Sequence, residues 1–147
     1  MARNYLIHWS NGISRFYWYG YYHSSSIGTL WTPTPSANPG TLNAAGTAYA
    51  QVYNWIVGST LTAPCSSSSN AYTCGLTLSN GSQALAVWNT SGNASYTPPV
   101  QYTQYKDLTG ATHTVTGSIT IGYAPVLLVG AGTTAPAPPT NLKINVQ

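Results

Sequence analysis

Glutamate is absent from the chain, and Asp107 is its only side-chain carboxylate. Arg3, Arg15, Lys106 and Lys143 complete the charged set, so charged residues make up 3% of 147 positions. An ordinary soluble domain carries about 25%. Each shortage excludes a class of chemistry. Glycoside hydrolysis uses a pair of carboxylates, and a chain with one does not contain the pair. An oxygen cage for calcium or magnesium is excluded on the same ground. Four scattered cations make no phosphate-tracking stripe, so the net charge of +3 does not signal nucleic acid. No apolar run approaches the roughly 18 residues of a membrane-spanning helix. His8, His23 and His113 lie far apart without a metal-ligand spacing, and no phosphate loop, dinucleotide fingerprint or nucleophile elbow is present. Neither a cofactor nor a metal is expected.

What is there is hydroxyl and ring. The chain has 16 Ser, 20 Thr, 11 Asn and 12 Tyr, and 43% of its residues are hydrophobic. That is too apolar for intrinsic disorder, and the length suits one domain with its own core. Cys65 and Cys74 flank the polar segment SSSSNAYT, a spacing that can close as a disulfide across a hairpin. Two free thiols are the alternative. A cysteine pair on an uncharged, Ser/Thr/Tyr-rich chain predicts an oxidising, extracellular setting. Asn80, Asn89 and Asn93 each begin an Asn-x-Ser sequon and are possible glycosylation points. Residues 1–11 lack an apolar core ending in a cleavage site, so they read as the body of the chain rather than a leader.

Pattern divides the chain at about residue 58. Residues 2–11 predict a short helix stopped by Gly12. Residues 13–22, ISRFYWYGYY, predict a strand with bulky residues on both faces. Residues 23–42 predict a loop, and Asn43 caps a helix over 44–57 marked by Ala45, Ala48, Tyr49, Val52, Trp55 and Ile56. Strands are expected at 60–63, 71–78, 83–89, 101–107, 111–116, 117–122 and 125–130. Ser79–Ser82 and Asp107–Gly110 serve as turns. The fold class that follows is mainly β, an antiparallel β-sandwich of about six or seven strands behind a helix-strand-helix segment. Residues 1–58, 59–130 and 131–147 form the three divisions, the last a Pro/Ala/Thr linker running into the alternating segment NLKINVQ.

The order of these elements carries a resemblance. ISRFYWYGYY, GTLWT, AGTAYAQVYNWIVG, the cysteine pair, QALAVWNTSG, YTQYKDL and GSITIGYAPVLLV are together similar to the C-terminal part of secreted bacterial glycoside hydrolases. The relatives in question have a (β/α)8 barrel and a retaining mechanism, as in β-xylosidases and cellulases. The resemblance implies that residues 2–22 and 44–57 correspond to the end of the barrel and the rest to the β-domain that follows it. It also implies that the catalytic glutamates lie on strands this sequence does not include. The Trp-Asp pair that often ends the eighth strand is replaced by Tyr21 and Tyr22.

Trp18, Tyr19, Tyr21, Tyr22 and Trp31 are candidate carbohydrate contacts, because flat rings suit the C–H faces of pyranoses. The competing reading is that they pack a strand and its covering loop. Trp88 reads as core, and Asp107 as a turn starter. The expected function is a non-catalytic accessory piece of a secreted carbohydrate-active protein, packing on a barrel or weakly binding polysaccharide. The alternative is a self-assembling filament subunit whose terminal strands pair with neighbouring copies. Partners are therefore carbohydrate or copies of the chain, with no nucleic acid and no membrane span.

Overall fold

The computed structural model describes residues 1–18, 29–34 and 37–130. Helix α1 (Ala2–Ser10) opens the chain. Gly12 takes φ +76, a left-handed conformation that lets the Ile13 amide donate back to the His8 carbonyl and end the helix. β1 (Trp31–Thr34) and β2 (Ala37–Leu42) form an antiparallel hairpin. Helix α2 (Ala44–Ile56) begins where expected. Asn43 Oδ1 accepts from the Gly46 amide at 2.9 Å, and its Nδ2 donates to the Thr29 carbonyl. Gly46 passes so close to the Leu30 carbonyl and the Leu42 side chain that a Cβ there would collide with both.

Eight strands follow among the described residues: β3 (Thr60–Ser68), β4 (Ala71–Thr77), β5 (Gln83–Asn89), β6 (Ala94–Tyr96), β7 (Tyr102–Lys106), β8 (Thr112–Thr114), β9 (Ile119–Ile121) and β10 (Val126–Gly130). The fold is mainly β, as the sequence predicts, and every strand pair among the described residues is antiparallel. Six strands form one sheet in the order β3-β4-β5-β10-β7-β8, and β6 pairs with β9 in a second.

Strand alternation explains the layering. Ala84, Ala86 and Trp88 of β5 share a core with Cys74, Leu76 and Leu127, and with Ala2, Leu6, Val52 and Trp55 of the two helices. Val87 of β5 points the other way, with Val126 and Leu128, into a second core closed by Ile119 and Ile121 of β9. The large sheet is therefore covered by helices on one face and by the small sheet on the other. Its central strands, ALAVW and VLLV, are apolar without a break for that reason.

Several boundaries differ from expectation. Residues 13–18 form no ladder, and the rest of the predicted 13–22 strand lies outside the described residues. β propensity needs a neighbouring strand to express itself. Among the described residues none pairs here, and Phe16 packs on α1 instead. Within the predicted 23–42 loop lies the β1–β2 hairpin, whose register shifts between Thr32 and Thr34, around Pro33. β3 runs past the predicted 60–63, through Pro64, because it is an edge strand that bulges between Leu61 and Ala63 and between Ala63 and Ser66. Ser69 and Asn70, both with positive φ, then close it onto β4 in a two-residue turn. The short β6 was not expected from pattern, since three residues are too few to show alternation. The tail 131–147 lies outside the described residues.

Candidate functional site: an aromatic trough on the helix layer

Tyr5, His8 and Trp9 recur at helical spacing on α1, and Tyr49, Tyr53 and Ile56 on α2. The two rows face a shared trough, and residues 13–18 run across it. Phe16 is wedged against α1, its ring 4.8 Å from Tyr5 in a T-shaped contact and 4.3 Å from His8. Tyr5 in turn meets Tyr49 edge-on at 5.5 Å. Burial raises the Tyr5 phenol above its ordinary pKa, and the charge and hydrogen bond of Tyr49 add to that. The main-chain amide of Trp18 opposes the shift by donating to the same oxygen.

Two cavities share Tyr5, Phe16 and Tyr17. The larger, about 420 Å³, extends over Trp9, Ile13, Arg15, Tyr53 and Val57; the smaller, about 240 Å³, over Trp18, Leu30 and Tyr49. The rim is open to solvent: Tyr17 is 80% exposed and Tyr53 52%, with Ile13 at 45% and Val57 at 49%. Polar groups are few. His8 Nδ1 sits 2.7 Å from the Asn4 carbonyl oxygen, which only accepts. Nδ1 therefore carries a proton, and Nε2 is the ring nitrogen left for a ligand.

Of the predicted carbohydrate contacts, Trp18 lines the smaller cavity. Trp31 starts β1, half-buried, and is not among the residues lining either cavity. Tyr19, Tyr21 and Tyr22 lie outside the described residues. Sequence reasoning missed Tyr5, His8, Trp9, Tyr49 and Tyr53. The signal was present in their three- and four-residue spacings, which read only as helix amphipathicity.

The remaining sites are elsewhere. Cys65 and Cys74 are joined in a disulfide that staples β3 to β4. Asn80 and Asn93 are exposed, whereas Asn89 is 5% exposed and its Oδ1 accepts from the Ser91 amide at 2.7 Å. Trp88 is fully buried and stacks on Tyr72 at 5.1 Å. Asp107 does start the predicted turn. One of its oxygens accepts from the Thr109 amide, the Thr109 hydroxyl and the Ala111 amide, and the other meets His113 Nε2 at 2.8 Å. No group of metal-ligating side chains is found among the described residues, and no helix there is long and apolar enough to cross a membrane. No family model, curated protein or solved structure matches the chain.

Proposed function

We propose that the chain is a non-catalytic accessory unit of a secreted carbohydrate-active protein, and that the trough between α1 and α2 is its contact surface for polysaccharide. The observation that carries this is that Tyr17 and Tyr53, both exposed, line one cavity together with Tyr5, Trp9 and Phe16. Exposed rings on a fixed wall offer stacking area to a pyranose, while Nε2 of His8 and the tyrosine hydroxyls reach its hydroxyls. The single carboxylate is engaged within its own turn, which supports binding without hydrolysis. The disulfide suits an oxidising compartment. Descent from the barrel end and β-domain of a glycoside hydrolase is consistent with this reading.

Pull-down on a panel of plant and microbial polysaccharides tests it. Binding is expected to fall at least about tenfold in Tyr17→Ala, with the melting temperature unchanged. Absence of binding to every polysaccharide at high protein concentration overturns the proposal.

A second reading, self-assembly, draws on β3, an uncharged nine-residue strand at the sheet edge. Sedimentation at rising concentration tests it, and a strictly monomeric species counts against it.

A further inference from the structure

We infer that the polysaccharide taken by the trough is acidic, carrying uronate carboxylates, and that Arg15 selects it; this rests on the glycan-binding reading above. Among the described residues, Arg15 is the one permanently charged side chain lining the larger cavity. It is exposed and makes no ion pair or hydrogen bond among the described residues. The chain has no side-chain carboxylate left to neutralise it. Asp107 is the only one, and it is held on the β7–β8 hairpin by Thr109, Ala111 and His113.

A neutral sugar stacked on Tyr17 would leave the guanidinium in water. A uronate would add a charge-assisted pair whose planar fork matches the carboxylate. His8 lines the same cavity, and with Nδ1 committed to the Asn4 carbonyl, its Nε2 is the atom that meets ligand. That nitrogen is placed to hydrogen-bond a sugar beside the guanidinium.

The test compares polygalacturonate with its methyl-esterified form, which keeps the sugar rings and removes the charge. Titration calorimetry of the full chain in about 0.05 M and about 0.5 M salt reads the difference. At low salt the acid form is expected to bind about tenfold more tightly. The preference should vanish at high salt and in Arg15→Gln, and persist in part in Arg15→Lys. Equal affinity for the two forms, or an unchanged preference in Arg15→Gln, overturns the inference and leaves neutral glycan binding intact. No binding to either polymer or to neutral polysaccharides overturns both. Thermal melts of the variants confirm that each remains folded.

Discussion

The main-chain amide of Cys65 donates a 2.7 Å hydrogen bond to the hydroxyl of Ser10, fixing the end of α1 to the bulge of β3. The same cysteine is bonded to Cys74, whose side chain is fully buried in the helix-facing core. The hydrogen bond thus joins the helix layer to the sheet at the residue through which the bridge ties β3 to β4.

Reduction of the bridge, or Cys65→Ser with Cys74→Ser, is expected to destabilise the chain by about 2–3 kcal/mol, the loop entropy regained by the unfolded state. The melting temperature should fall by roughly 5–10 °C. Ser10→Ala leaves the Cys65 amide without its acceptor and should cost about 1 kcal/mol. Denaturant melts with and without reductant measure both. If Ser10→Ala costs nothing, α1 is not anchored through this contact.

Asp107 gives an acid limb that belongs to one residue. The Thr109 hydroxyl is the largest cause holding its pKa at about 2; desolvation opposes it, and His113 and the Thr109 and Ala111 amides add to the depression. A carboxyl depressed below its unfolded value of 3.8 stabilises the fold above that value. The contribution is lost as pH falls from about 4 through about 2. No other side-chain carboxylate exists, so stability measured by circular dichroism should drop over that window in the native chain and stay flatter in Asp107→Asn. Equal slopes would show that the turn does not hold the carboxylate in solution.

Much of this was legible in the sequence, and the reasons it was not elsewhere are physical. Asn43 announced α2 because an N-cap acts locally, and the cysteines announced their hairpin because nine residues leave little freedom. ALAVW and VLLV announced buried strands through composition alone. Residues 13–18 were misread because ring-rich segments serve strands and helix-packing straps equally well. Their outcome depends on what lies beside them, here α1 through Phe16. The trough escaped notice because it is assembled from two helices far apart in sequence. The pairing of His113 with Asp107 was not legible because only the turn brings the two together.

Gly46→Ala separates propensity from packing. On an exposed helix the change stabilises by about 1 kcal/mol. Here the new methyl group meets the Leu30 carbonyl, a main-chain atom that cannot rotate away. The expected result is a loss of about 1–3 kcal/mol. A stabilised variant in urea titration would show that the loop before α2 yields easily.

Trp88 offers a test of what its indole contributes. The ring is fully buried, yet Nε1 has no hydrogen-bond partner among the described residues. Trp88→Ala should cost about 3–5 kcal/mol through the cavity it leaves. Trp88→Phe loses volume but also removes an unsatisfied donor, so it should cost less than about 2 kcal/mol. Equal losses for the two variants would mean that the nitrogen is bonded after all.

Phe16 and Tyr17 are neighbours with opposite duties, and the trough depends on the difference. Phe16 is clamped between Tyr5 and His8, so Phe16→Ala frees the strap from α1 and should lower stability by about 1–3 kcal/mol. Tyr17 is 80% exposed, so Tyr17→Ala should stay within about 0.5 kcal/mol of the native chain. Chemical denaturation of the two variants reads this directly. If both are neutral, residues 13–18 do not form a fixed wall, and a trough whose wall moves offers a ligand no preorganised stacking surface. If both destabilise, Tyr17 is packed rather than presented, and its ring is not available to a sugar. Only the split result leaves a rigid support carrying an exposed ring, the arrangement that a stacking site requires.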